Sequence, residues 1–160
     1  MVASILTVLL IFIHIVAVAV WIGGAIFMVF IVAPNLSVVS PPEAGKISQA
    51  IGEKFASIVM WAITLVALTG VLRMYTSGLL NITILTGSTY GKALLLKLLL
   101  FIVMLIVGSS ITKTMKGLGS ASSPEEAVAG KNKITQLSQL NIALGILLIL
   151  MGVGLSYGIF

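Results

Sequence analysis

The chain has 160 residues, of which 59% are hydrophobic and 8% are charged. Soluble domains carry charge on about a quarter of their residues, so this composition excludes an ordinary soluble domain and predicts a protein of the lipid bilayer. The net charge of +5 comes mostly from residues near the ends of apolar segments, unlike the basic patches of nucleic-acid-binding proteins. The absence of cysteine excludes disulfides and thiolate metal sites.

Four apolar segments come close to the roughly 20 residues that a membrane-spanning helix needs. We predict helices over residues 5–32, 55–75, 91–111 and 134–158, within a single integral membrane domain of residues 1–160. An open sheet cannot satisfy its edge groups in lipid, and a β-barrel lacks such long unbroken apolar runs. The predicted fold class is therefore all-α, a bundle of four transmembrane helices.

Prolines, glycines and polar residues mark the predicted connections. Pro34 ends the first span, and residues 78–88 form a short, rather apolar connection. Residues 117–133 form a polar loop that contains Ser120 and Ser122. Within that loop, Ser123 and Pro124 are followed by two glutamates, a pattern typical of a helix start, so we predict a short surface helix there.

The basic residues are divided unequally between the two sides of the predicted membrane domain. The connections after the first and third spans carry six lysines: Lys46, Lys54, Lys113, Lys116, Lys131 and Lys133. The opposite side has Arg73 and Lys92. By the positive-inside rule we expect the lysine-rich connections in the cytoplasm and both termini outside, in an inner or plasma membrane.

Helical spacing of about 100° per residue predicts which residues face the interior of the bundle. The predicted inward residues of the first two helices are His14, Val18, Trp21, Ala25, Met28, Ser57, Met60, Thr64, Ala67, Val71 and Met74. Those of the last two are Tyr90, Lys97, Phe101, Met104, Gly108, Ser138, Asn141, Gly145, Leu148, Gly152 and Leu155. We predict helix contact at Gly23 and Gly24, and an interhelical hydrogen bond by Asn141.

Polar residues inside the membrane are the first candidates for a site. Ionisable groups in a spanning segment usually face the bundle interior or water, so His14, Arg73 and Lys97 are predicted to line one cavity in the outer half of the bilayer. The alternative for Arg73 and Lys97 is that they extend to the lipid headgroups. The alternative for His14 is a hydrogen bond to a neighbouring backbone group or hydroxyl.

The methionines are the second group of candidates, because Cu(I) suits imidazole and thioether ligands. His14 with Met28, Met60, Met74 and Met104 would form a ladder of weak copper ligands. The alternative is that the methionines only fill gaps in the packing. The nearby cations argue against copper, because they repel Cu(I).

Several motifs resemble the copper-resistance D membrane family. They are Leu68-Thr69-Gly70, the run T-Y-G-K-A-L-L-L-K-L over residues 89–98, and Gly108. The first helix, with H-x-x-A-x-x-x-W-x-G-G beginning at His14, resembles the opening of the same superfamily. This resemblance covers helices one to three, and it implies a multi-span inner-membrane protein concerned with copper uptake or delivery. A more distant resemblance to the haem-binding protoporphyrinogen oxidase membrane family implies haem b at His14 and Lys97.

Three functions remain open from the sequence. The first is copper uptake or delivery, or support of a membrane copper enzyme. The second is haem b binding by His14 and Lys97, with Arg73 near the propionates. The third is a non-catalytic accessory subunit of a larger membrane complex. The only carboxylates are four glutamates in loops or at predicted helix ends, so we predict no enzymatic activity. The expected partners are the bilayer and other membrane subunits, not nucleic acid.

Overall fold

The structure is a computed structural model that describes residues 5–118 and 123–159. Every regular element in these residues is helical, which confirms the all-α class. The helices are α1 (Ile5–Phe27), α2 (Ala33–Asn35), α3 (Pro41–Thr76), α4 (Ile82–Gly87), α5 (Thr89–Leu118) and α6 (Pro124–Ser156). Four helical spans are long and apolar enough to cross a membrane: Ile5–Val38, Pro42–Thr76, Thr89–Leu118 and Pro124–Ser156.

The first span continues past Pro34 instead of ending before it. A wide π-helical turn over Met28–Val32 follows α1, and the backbone N–H of Ala33 donates to the carbonyl of Met28. The short α2 and a 3₁₀ turn over Leu36–Val38 complete the span. Proline removes a donor and crowds the preceding turn, and a local change of helical pitch accommodates both effects.

The helix α3 begins 14 residues before the predicted start of the second span. Ser40 caps the first turn of α3. Its backbone N–H and its hydroxyl both donate to Glu43 Oε2, at 3.2 Å and 2.5 Å. Pro41 occupies a first-turn position that needs no N–H partner. At the other end Gly78 adopts φ 69°, and the N–H of Leu79 donates to the carbonyl of Met74 at 2.9 Å, as in a Schellman motif.

The predicted helix start at Ser123 is confirmed, but the predicted separate surface helix is wrong. The Ser123 hydroxyl accepts the N–H of Glu126 at 3.2 Å, and α6 then runs without a break from Pro124 through the fourth span. The prediction of a loop up to residue 133 fails because polar residues can also lie inside a long helix. Ser120 and Ser122 of the predicted loop lie outside the described residues.

The spanning helices are longer than a bilayer requires. The helix α3 has 36 residues, α5 has 30 and α6 has 33, against the roughly 20 needed for the hydrocarbon core. All six lysines of the predicted polar connections lie within these helices, in the first 14 residues of α3, the last six of α5 or the first ten of α6. Orientation across the membrane stays a prediction, now based on charged helical extensions instead of charged loops.

The chain forms two compact units, Met1–Ile82 and Thr83–Phe160. In the first unit α1 packs against α3, and in the second unit α5 packs against α6. The single membrane domain predicted from the sequence stays a prediction. The predicted inward faces of α1, α5 and α6 contain buried residues in the structure, including Trp21, Met104 and Asn141.

Within the first unit, the face of α3 that packs against α1 is not the predicted inward face. The buried residues of this helix include Ala62, Val66 and Thr69, whereas Met60 is 63% exposed and Thr64 is also exposed. The Thr64 hydroxyl donates to the Met60 carbonyl at 2.9 Å. Because this bond satisfies the hydroxyl within its own helix, the threonine needs no partner from a neighbouring helix and can face lipid.

Candidate functional site

The first unit holds the single histidine against a threonine of the second span. His14 is half-buried on α1, and its Nδ1 lies 2.8 Å from Oγ1 of Thr69 on α3. Thr69 is only 3% exposed. The structure therefore places His14 in the helix interface of this unit, hydrogen-bonded to a hydroxyl, which is the second of the two environments considered for it from sequence.

Thr69 is also bonded to its own helix. Its Oγ1 lies 2.5 Å from the Leu65 carbonyl oxygen and 3.2 Å from the Val66 carbonyl oxygen. Backbone carbonyls one turn earlier in a helix are the usual acceptors for a threonine hydroxyl. His14, Thr69 and the carbonyl of Leu65 thus form one continuous hydrogen-bonded chain from α1 to the backbone of α3.

Gly70 completes the surface on which the histidine ring lies. A Cβ atom built on Gly70 would lie 3.8 Å from Cε1 of His14, which is ordinary van der Waals contact. Within the Leu68-Thr69-Gly70 motif, the Thr69 hydroxyl therefore contacts the histidine ring and Gly70, which has no side chain, lies beside it. In the sequence His14 and this motif are separate features, because no local signal pairs residues 55 positions apart.

Arg73 lies on the same face of α3 as Thr69, one helical turn further on, and its side chain is half-buried. The structure therefore brings this predicted site residue near the level of His14. A fixed positive charge one turn away weakens the binding of a cation and strengthens that of an anionic group. The proposed role of Arg73 in holding a cofactor stays a prediction.

The methionines of the first unit lie at different levels from His14. Met74 is five residues beyond Thr69 and Met28 is 14 beyond His14, which places them about 8 Å and 21 Å away along the helix axes. Met60 is nine residues before Thr69, about 14 Å away and on the opposite side of α3. Their roles as copper ligands stay predictions. Among the described residues, no group of three or more His, Cys, Asp or Glu could hold a metal ion.

Lys97 in the second unit packs against α6. A Cβ atom on Gly152 would lie 2.9 Å from Lys97 Nζ, so the ammonium occupies space that any side chain at residue 152 would take. Lys97 itself is half-buried. Because His14 and Lys97 belong to different units, the predicted cavity that both would line stays a prediction.

Met104 and Asn141 form a buried polar contact in the second unit. Met104 is 1% exposed and Asn141 is 7% exposed. The Asn141 side-chain amide donates to the Met104 carbonyl at 3.1 Å. A Cβ atom built on Gly108 would lie 3.5 Å from that amide nitrogen, in ordinary van der Waals contact. The predicted interhelical hydrogen bond of Asn141 is confirmed. A ligand role for Met104 stays a prediction.

The glycine of the T-Y-G-K motif has a structural explanation. Gly91 is buried, and a Cβ atom there would overlap the carbonyl oxygens of Ile84 and Leu85. The backbone of α4 therefore lies directly on the first turn of α5. The adjacent Lys92 is exposed, so this part of the motif fixes the connection between helices, and its lysine lies at the surface.

These features define a multi-pass α-helical membrane protein. Comparison with protein-family models gives a match to copper resistance protein D over residues 49–155. The chain belongs to the copper resistance protein D family. No curated protein and no solved structure matches it.

The family match overlaps the resemblance seen in the sequence only in part. It includes the Leu68-Thr69-Gly70 and T-Y-G-K motifs and extends into α6, whereas α1 with His14 precedes it. The resemblance of α1 to the superfamily opening therefore stays a prediction. The comparisons give no support to the resemblance to the haem-binding protoporphyrinogen oxidase family, nor to haem b.

Proposed function

We propose that this protein handles copper in the membrane, in uptake or delivery of the ion or in support of a membrane copper enzyme, and that His14 contacts Cu(I). The observation that carries the proposal is the 2.8 Å contact between His14 Nδ1 and Thr69 Oγ1. It joins the single imidazole of the chain to a threonine within the region that matches the copper resistance family.

The chemistry of this pair suits Cu(I). Imidazole is a good ligand for copper, and a metal-binding histidine usually has its second ring nitrogen held by a hydrogen bond. The methionines of the first unit lie at other levels, and Arg73, one helical turn beyond Thr69, adds a positive charge to this end of α3. Both observations favour a weak ligand that releases its ion again. We therefore propose copper as cargo, and not as a resident cofactor.

The proposed role is non-catalytic. Glu43 and Glu53 lie in the first 13 residues of α3, and Glu125 and Glu126 lie in the first turn of α6. Acid–base chemistry within the membrane would need an ionisable group near the reacting atoms, and all four carboxylates precede the apolar parts of their helices. A protein without its own chemistry would deliver copper to, or pack against, other subunits in an inner or plasma membrane, with both termini outside.

The test is an anaerobic Cu(I) titration of the purified protein in detergent, in competition with a chromophoric Cu(I) chelator. We expect the wild-type protein to take copper from a chelator of suitable affinity and His14→Ala to lose that binding. Thr64→Val is the control, because Thr64 is exposed on α3, is not among the predicted copper ligands and donates to the Met60 carbonyl of its own helix. Wild-type protein that binds no Cu(I), or equal binding by His14→Ala, would overturn the proposal.

A further inference from the structure

We propose that Thr69 is a positioning residue that fixes the proton of His14 on Nδ1, and so leaves the lone pair of the neutral ring on Nε2. Three contacts of the Thr69 hydroxyl oxygen, with His14, Leu65 and Val66, support this assignment. It rests on the proposed function only in naming Cu(I) as the ion that Nε2 would contact.

A threonine hydroxyl has one proton to donate and lone pairs to accept. The Thr69 oxygen lies 2.5 Å from the Leu65 carbonyl oxygen and 3.2 Å from that of Val66. Carbonyl oxygens only accept, so the single hydroxyl proton must point towards α3, principally to Leu65. The contact with His14 at 2.8 Å is then a bond in which Nδ1–H donates and Thr69 accepts.

The reverse arrangement would be costly. If Thr69 donated its proton to Nδ1, its oxygen would lie 2.5 Å from the Leu65 carbonyl oxygen with no proton between them. Two oxygen lone pairs at that distance repel, and the threonine would lose its bond to its own helix. Within lipid no water replaces the lost bond, so the geometry selects the tautomer that carries its proton on Nδ1.

The orientation of the ring follows from the same contacts. Nδ1 faces Thr69, and the neighbouring Cε1 lies against Gly70, 3.8 Å from where a Cβ atom would be. Nε2 is the next atom around the ring. Thr69 and Gly70 together therefore determine which nitrogen is protonated and how the imidazole edge is directed, much as outer-shell partners orient metal-binding histidines.

The single histidine makes this inference directly measurable. Protein labelled with nitrogen-15 histidine gives one pair of ring signals by NMR in detergent or nanodiscs, at about pH 8, above the ordinary histidine pKa of about 6.5. We expect a protonated, pyrrole-type Nδ1 and an unprotonated, pyridine-type Nε2, without any metal. Thr69→Ser should keep this pattern, because it retains the hydroxyl.

Thr69→Val should shift the ring towards the tautomer protonated on Nε2, because valine has nearly the shape of threonine but accepts no hydrogen bond. Thr64→Val is the matched control, because Thr64 is exposed on the same helix and its hydroxyl donates to the Met60 carbonyl instead of contacting His14. It should leave the ring signals unchanged. A wild-type ring protonated on Nε2, or an unchanged pattern in Thr69→Val, would overturn the inference.

A Cu(I) titration of the same variants separates this inference from the proposed function. We expect Thr69→Val to weaken binding about 10- to 100-fold, the usual effect of losing an outer-shell partner, with Thr69→Ser close to wild type. If the tautomer is as predicted and the wild-type protein binds no Cu(I), the proposed function fails and the positioning role stands. If Cu(I) binds and Thr69→Val changes neither the affinity nor the tautomer, the positioning role fails alone.

Discussion

Two adjacent glycines of α1 differ in what a methyl group would meet. A Cβ atom on Gly24 would lie 2.5 Å from Cε2 and 3.3 Å from Cζ of Phe55, whereas one on Gly23 would have no neighbour within 4 Å. Gly24 is therefore a contact between α1 and α3, and Gly23 is not. Substitution of each by alanine tests the packing of the first unit with a neighbouring control.

The expected difference can be estimated from these distances. Ordinary contact begins at about 3.4 Å, so the Phe55 ring must retreat by about 0.9 Å in Gly24→Ala. Overpacking of this kind costs about 1–3 kcal/mol. The gain in helix propensity from glycine to alanine, about 1 kcal/mol, is common to both variants and cancels. Gly24→Ala should thus be less stable than Gly23→Ala by about 1–3 kcal/mol, or about 5- to 160-fold in the unfolding equilibrium.

The assay is reversible unfolding in mixed micelles with increasing dodecyl sulfate, followed by tryptophan fluorescence. Trp21 is 6% exposed and lies one turn from Gly24, whereas Trp61 is 71% exposed. A Trp61→Phe background therefore leaves one buried reporter in the first unit. In a Phe55→Leu background the ring is gone, and the difference between the two glycine variants should shrink. Equal stability of the two variants, or a full difference that persists without the ring, would refute this account of the packing.

Three further predictions concern single residues. Asn141→Leu keeps the side-chain shape but loses the hydrogen bond to the Met104 carbonyl at 3.1 Å. Such a bond contributes about 0.6–1.7 kcal/mol, so amide hydrogen exchange in α5 and α6 should become about 3- to 18-fold faster. Unchanged exchange rates would contradict this. Gly78→Ala forces alanine to φ 69° and should destabilise the end of α3 by about 1–2 kcal/mol, whereas Gly45→Ala, with nothing within 4 Å, should not destabilise α3. Gly91→Ala should destabilise α4, because the new methyl group would overlap backbone carbonyls, which cannot rotate away as a side chain can. The expected result is faster amide hydrogen exchange over residues 82–88. Protection equal to that of the wild type would contradict this prediction.

The candidate site was predictable only in part. The sequence identified His14 as the sole imidazole in a span and Leu68-Thr69-Gly70 as a motif. It did not pair them, because their contact depends on the register between α1 and α3 across 55 residues. The charged turns at the helix ends were also misinterpreted as loops, because in lipid-spanning helices apolarity marks the membrane and not the end of the helix.

The amino-acid sequence by itself determined the all-α class and the four spans, because about 20 consecutive apolar residues have few other stable arrangements. It also determined the faces of α5 and α6 that meet, since Gly108, Asn141 and Gly152 are small or polar residues that favour helix contact. Only the tertiary structure decided which face of α3 packs inward. A helix that is apolar all round offers no contrast between its faces, and a threonine that bonds its own backbone sits as readily in lipid as in a core.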